Sequence, residues 1–295
     1  MTRARRAGER KRRKVLPYII LGLAAAAIFC VFAFDERPVL TAYTVKSSKV
    51  AEPVRILHIT DLHNCLFGDG QSRLTEMIDA AEPDIVVFTG DMSDPRYGED
   101  NALLLARLVS EKYPSFYVFG NHENAYPGIV SKVCDKFAEA GLTVLRGSAE
   151  KISVGGTALL ICGIDDPNAS PDYNLRMWEN ELDDCAGAAA SEPGVFSVLL
   201  THRPECVNDY AGRGFDLIMA GHAHGGQARI PLILKNGIYA PSQGLFPKYT
   251  GGLYLLSDGT PLEVCRGLST KIRPRVFNRP EISLVTVEPG ENPPA

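Results

Sequence analysis

Residues 54–63, Val-Arg-Ile-Leu-His-Ile-Thr-Asp-Leu-His, decide the fold. An apolar run, Val54–Thr60, stops abruptly at Asp61-Leu62-His63. The same pattern, a short β-branched run ending in Gly, Asp or His, recurs at Ile85–Thr89, Phe116–Phe119, Ala158–Ile164, Phe196–Thr201 and Asp216–Ala220. Amphipathic stretches separate the early runs: Gly70–Ala81, Asn101–Tyr113 and Ile129–Ala140. In the last of these, Val130, Val133, Phe137 and Ala140 fall at helical spacing. Glu82-Pro83-Asp84 and Gly141 are stop signals. Alternation of strand and helix implies an α/β layered fold with parallel pairing. The tail changes character: Ile238–Tyr239, Leu253–Leu256, Leu262–Cys265 and Ile282–Val287 read as short strands separated by Gly and Pro, with no helix between them.

The chain has 295 residues and 45% hydrophobic content, enough for a sizeable core. No repeat of solenoid or propeller period is present. A net charge of −4 hides an uneven distribution. Residues 1–14 hold eight Arg or Lys against Glu9, a head of +7, which leaves −11 for the remainder. An acidic body disfavours a nucleic-acid partner, because affinity for a polyanion comes mainly from Lys and Arg. Of seven Cys, Cys30 lies in an apolar run and the other six are scattered without a CxxC pair. Buried free thiols are the expectation, with disulfides in an exported domain as the alternative.

Residues 15–34 form 20 residues without a charge, about 30 Å as a helix and one hydrocarbon core thick. The basic cluster before them predicts a cytoplasmic N-terminus and a domain across the membrane. An uncleaved anchor is favoured over a cleaved signal peptide, because seven apolar residues follow the Ala24–Ala27 run. Arg12-Arg13-Lys14-Val15-Leu16 also has an imperfect likeness to a twin-arginine export signal. The expected organisation is a basic head (1–14), a transmembrane anchor (15–34), a short connector (35–41) and one domain (42–295).

Five of the six histidines stand just after a strand, beside Asp, Asn or Gly. Asp61 and His63 follow the first run; Gly90-Asp91 the second; Gly120-Asn121-His122-Glu123 the third; His202 ends Phe196–Thr201; and Gly221-His222-Ala223-His224-Gly225-Gly226 follows the last. In an open α/β sheet these ends share one edge, where ligands bind. His nitrogen and Asp oxygen suit divalent metals, and no Cys takes part. D-x-H and H-x-H would place two ligands on one side of an extended segment. Seven candidate ligands exceed one tetrahedral site and suit two ions sharing a carboxylate.

The series D-x-H, GD-x-x-D, GNH-E, H and GH-x-H, here Asp61/His63, Asp91/Asp94, Asn121-His122-Glu123, His202 and His222/His224, resembles the calcineurin-like metallophosphoesterase family over about residues 42–287. Residues 61–64, 221–227 and 279–282 look most like its membrane-associated bacterial branch of YkuE- and YaeI-like phosphodiesterases. The resemblance implies a four-layer αββα sandwich and a dimetal hydrolase (Mn, Fe or Zn). It assigns Asp61, His63, Asp91 and His224 to one metal, and Asp91, Asn121, His202 and His222 to the other, Asp91 bridging. It makes His122 the catalytic histidine and Asp94 its orienting carboxylate, with attack by a metal-bridging hydroxide. The implied substrate is a phosphorylated small molecule or lipid head group, as phosphoester or phosphoanhydride.

Other residues read more plainly. His58 is a packed core histidine, Glu123 an acceptor behind the site or a cap, and Trp178 with Met177 a core element beside the pocket. Arg266, Arg273, Arg275 and Arg279 either clamp a substrate phosphate or form a solvated or membrane-facing surface. Competing functions are a catalytically silent protein- or lipid-binding scaffold, which the full ligand set disfavours, and a nuclease or protein phosphatase.

Overall fold

The computed structural model describes residues 3–123, 130–167, 175–272 and 274–291. Helix α1 (Arg3–Ala33) leads into strands β1 (Val39–Ser47) and β2 (Val54–Ile59). Then come α2 (Ser72–Ala81), β3 (Ile85–Thr89), α3 (Asp100–Ser110), β4 (Ser115–Val118), α4 (Val130–Glu139), β5 (Thr143–Val144) and β6 (Ser148–Val154). β7 (Thr157–Gly163), α5 (Leu175–Ser191), β8 (Phe196–Leu200), α6 (Val207–Tyr210) and β9 (Leu217–Ala220) follow. The described tail is strand without α-helix: β10 (Tyr239–Ala240), β11 (Gly244–Leu245), β12 (Gly252–Leu255), β13 (Pro261–Val264) and β14 (Glu281–Pro289).

Two six-stranded sheets result, ordered β1-β14-β2-β3-β4-β5 and β12-β13-β9-β8-β7-β6. The helix-linked strands β2-β3-β4-β5 and β7-β8-β9 pair in parallel. Side-chain alternation explains how the layers stack. Along β3, Ile85 and Val87 face the second sheet, while Val86 and Phe88 face α2, α3 and α4. Along β7, Leu159 and Ile161 face the first sheet, while Leu160 and Cys162 face α5 and α6. Both faces of each central strand are therefore dry, which is why these strands read as continuous apolar runs. The result is the expected αββα sandwich. A polar knot crosses its middle layer. His58 on β2 places Nδ1 2.6 Å from Glu263 Oε2 on β13 and Nε2 2.6 Å from Thr89 Oγ1, and Ser283 Oγ on β14 donates to the other Glu263 oxygen.

The tail completes both sheets. β14 inserts between β1 and β2, and β13 pairs with β9. Strands β1 and β6 were not legible in the sequence, since both are edges with mostly exposed or half-exposed residues. β1 begins at Val39, inside the stretch 35–41 read as a connector. That stretch is also tied down, with Arg279 Nε 3.3 Å from Asp35 Oδ2 and donating to Arg37 O. Helix α1 runs through both the basic head and the apolar segment. Its stretch Leu16–Ala33 has a mean hydropathy of 2.4 and is long and apolar enough to cross a membrane. All seven cysteines are free. Ile129 and Arg273 lie outside the described residues.

Gly163, at the end of β7, sits where a Cβ would collide with Leu145 Cβ and Val118 Cγ1 of the facing layer. Gly163→Ala should therefore lower unfolding free energy by ~1–3 kcal/mol through overpacking. A shift of the urea midpoint without a change in slope would show it.

Candidate metal centre

Five strand ends meet at one edge of the sandwich. β2 delivers Asp61 and His63, β3 Asp91, β4 Asn121 and His122, β8 His202, and β9 His222 and His224. The ladder continues past the strands and fixes these turns: Asp61 N donates to Gly90 O, His63 N to Asp91 O, and Gly221 N to His202 O. Gly90 allows this approach, since a Cβ there would collide with the Gly120 backbone.

The ligand segments are not extended, contrary to the sequence reading. Asp61, His63, Asp91, His222 and His224 all have left-handed φ, between 46° and 64°. Each such residue costs about 1 kcal/mol or more, a strain that clusters at functional sites. Convergence of D-x-H and H-x-H comes from these turns and not from strand alternation.

Three groups of potential ligand atoms form among the described residues: Asp61, His63 and His224; Asp91, His202 and His222; and His63, Asp94 and His122. Asp91 Oδ2 lies 3.6 Å from His63 Nε2 and 3.4 Å from His202 Nε2, so one carboxylate oxygen faces both. Asp61 Oδ1 is 3.6 Å from His224 Nε2. The surrounding bonds aim the lone pairs inward. His202 Nδ1 donates to Thr89 O at 2.6 Å, which turns Nε2 toward Asp91 and His222. His63 Nδ1 bonds Asp94 Oδ2 at 2.9 Å, again leaving Nε2 for the centre. His222 places Nδ1 3.1 Å from His202 Nε2, while Nε2 bonds Ser242 Oγ at 3.3 Å. His224 O accepts from Asn278 Nδ2 at 2.7 Å.

Asp61 Oδ1, His63 Nε2, Asn121 Oδ1 and His224 Nδ1 are buried without hydrogen-bond partners. An orphaned buried polar atom costs ~1–3 kcal/mol, so four in one cleft are a donor set that fits divalent ions. Charge points the same way. Burial opposes ionisation of Asp91, but His202, His63 and His122 overcome it and hold the carboxyl well below its usual range. Burial also opposes the His202 imidazolium, and Asp91 and Asp61 reverse this, pushing its pKa up to about 10. Burial, together with His63 and Arg275, lowers His224 to about 3 despite the pull of Asp61.

Glu123 stands behind the centre, as expected of an acceptor there. It accepts from the backbone N–H of Asp91, Ser93 and Gly120 at 2.8, 2.8 and 3.0 Å. His122 is the exposed member of the cluster, with 24% of its side chain accessible and Nδ1 3.0 Å from Asp94 Oδ2. Asp94 is not reserved for His122, however. The same oxygen serves His63 Nδ1, and Arg96 spans both Asp94 oxygens. His58 and Trp178 lie in the core, apart from the cluster.

The described tail arginines do not form a phosphate clamp. Arg275 is buried and donates to the carbonyls of Arg266 and Gly267. Arg266 is paired with Glu281, and Arg279 with Asp35. Sequence reasoning missed Arg203, which neighbours His202. Its Nη1 donates to Ser242 Oγ at 2.6 Å beside His222, and Asp166, after β7, holds Nε and Nη2. The signal was available: Asp165-Asp166 follows a sixth strand end.

The sequence profile described as Calcineurin-like phosphoesterase matches residues 54–226. Among relatives, the metallophosphoesterase YkuE of Bacillus subtilis is 28% identical over 260 residues, covering 84% of this chain and 85% of that protein. The phosphodiesterase YaeI of Escherichia coli is 26% identical over 243 residues, covering 80% and 82%. Among solved structures, Thermus thermophilus sulfate thiohydrolase SoxB superposes with a TM-score of 0.51 at 14% identity, over 86% of this chain and 58% of that one. That last likeness concerns the fold alone. The profile spans all five strand ends that build the centre, and the chain belongs to the calcineurin-like phosphoesterase family of metal-dependent phosphoester hydrolases.

Proposed function

We propose that this chain is a membrane-anchored, two-metal phosphodiesterase or pyrophosphatase acting on a phosphoester or phosphoanhydride at the bilayer surface. The observation that carries the reading is Asp91 Oδ2 facing both His63 and His202, between two groups of inward-aimed acceptors. Asp61, His63, Asp91 and His224 would hold one ion, and Asp91, Asn121, His202 and His222 the other. Divalent ions bound there supply Lewis acidity, lowering the pKa of an attacking water and neutralising phosphoryl charge.

The chain's own residues do the rest. Asp94 accepts from His122 Nδ1, and this leaves Nε2, 3.8 Å from Asp91 Oδ2, to protonate a departing oxygen. Arg96 locks both oxygens of Asp94, and Lys271, bonded to the carbonyls of His63 and Asn64, adds positive charge beside them. The name of YaeI supports diester cleavage.

Loading purified chain with excess Mn²⁺ should give two ions per chain by elemental analysis, and Asp91→Asn should leave fewer than one, since both groups lose their shared charge. One ion per wild-type chain would overturn the two-metal reading.

His122→Asn should retain both ions while kcat falls by about 10²–10⁴. The deficit should shrink for a p-nitrophenolate leaving group and grow for an alkoxide, because only the alkoxide needs the proton. Equal losses for both would make His122 a phosphate-positioning residue instead. Asp94→Asn should lower kcat and also weaken metal retention, since His63 and His122 share that oxygen.

The +7 head before the apolar helix supports a cytoplasmic N-terminus. Protease added to intact spheroplasts should digest the domain and spare an N-terminal tag. Digestion only after lysis would place the domain inside.

A further inference from the structure

Exposed large apolar side chains outside α1 concentrate in one segment. Leu232 is 89% exposed, Ile233 82%, Phe246 70% and Leu245 68%, with Ile230 46% beside them. The chain folds this segment together. Ile230 N and Leu234 O close a tight loop, Tyr239 pairs with Leu245, and Phe246 N donates to Ile238 O. Leu232 and Phe246 hold left-handed φ of 69° and 55°, so the backbone is strained to present them outward. Water offers no reason to display four such residues in one patch.

Charge marks the same region. Residues 217–257 contain Arg229, Lys235 and Lys248 and no Asp or Glu, within a body of −11. Lys235 and Lys248 are exposed, each within two residues of the apolar side chains that precede it in sequence. An apolar tip with a basic collar is complementary to an anionic lipid surface.

The patch is continuous with the membrane end of α1. Phe277 packs its ring edge-on to Phe29 with centroids 5.2 Å apart, and its N–H donates to Ala33 O at 2.7 Å. Phe277 also lines one groove with Ile230, Pro231 and Leu234. Phe29 lies four residues before Ala33, about 6 Å along the helix axis. A helix that crosses the bilayer therefore carries Phe277 to the hydrocarbon boundary, and the 230–246 loops beside it. The same short segment reaches the metal centre. Asn278 holds His224 O, Ile238 N donates to Gly226 O, and Ser242 bonds His222.

We infer that the loops spanning 230–246 are a second membrane contact, which docks into the lipid surface around α1 and opens the mouth of the metal centre at head-group level. The substrate class that follows is a phosphoester or phosphoanhydride borne by a lipid of that leaflet. This rests on the reading of α1 as a membrane span and of the centre as a phosphohydrolase, and the test separates the docking from the hydrolase reading.

The full chain carrying Ile233→Trp is reconstituted into nanodiscs of phosphatidylethanolamine and phosphatidylglycerol, with and without acyl-brominated lipid. After subtraction of wild type, whose Trp178 is buried in the core, bromine should quench the new indole fluorescence. An indole as unquenched as in detergent-free buffer overturns the docking, whatever the enzyme activity. In the second arm, Leu232→Asp/Ile233→Asp should leave hydrolysis of soluble bis-p-nitrophenyl phosphate unchanged. Hydrolysis of a polyprenyl pyrophosphate carried in the bilayer should fall about tenfold, since insertion scales with apolar area. Equal rates for variant and wild type on the lipid substrate overturn lipid delivery by these loops. Wild type inactive on both substrates removes the hydrolase reading, while the quenching result still decides the membrane contact.

Discussion

A buried carboxylate shared by two sets of histidines is the constraint on which this structure turns. Asp91 is 1% exposed, and a charge so placed is costly unless opposite charge and hydrogen bonds surround it. His63 and His202 face one oxygen, and the other accepts the N–H of His122. Glu123 in turn holds the backbone of Asp91, Ser93 and Gly120, so the turns after β3 and β4 are bonded to one acid. The left-handed backbone at five ligand-type residues is tolerated because this network over-determines it.

The two sheets must also hold register against each other, since half of the centre comes from each. Their apolar layer is adaptable, as one aliphatic side chain can slide past another. The knot of His58, Glu263, Thr89 and Ser283 is not, because its bonds have fixed directions. It joins β2, β3 and β14 of one sheet to β13 of the other. His58 thus contributes to the site by aligning the layers, without joining the ligand cluster.

The tail ties the apolar helix to the metal centre. Residues 276–278 touch α1 through Phe277 and the metal centre through Asn278. Arg275, buried at the same turn, pins the backbone of residues 266 and 267. The described tail arginines, read from the sequence as either a phosphate clamp or a solvated or membrane-facing surface, are the fasteners of this corner. Arg96, Lys271 and Arg203 place positive charge beside the centre, Arg203 next in sequence to His202 and Arg96 two residues from Asp94, while Lys271 arrives from the distant tail.

The sequence by itself determined the central strands and the residues of the metal centre. Strands buried on both faces need unbroken apolar runs, and the chemistry at their ends needs Asp, Asn and His, so both leave a local signature. It also determined the apolar helix, from length and charge alone. Only the tertiary structure decided what depends on distant partners. Edge strands β1 and β6 carry little apolar signal, because half their residues face water and pairing energy comes from the neighbouring strand. The sharing of Asp94 between His63 and His122, the capture of Arg203 by Asp166, and the burial of Arg275 join residues far apart in the chain. Spacing along a sequence cannot encode these contacts, because each partner is set by how the packed sheets bring separate strand ends together.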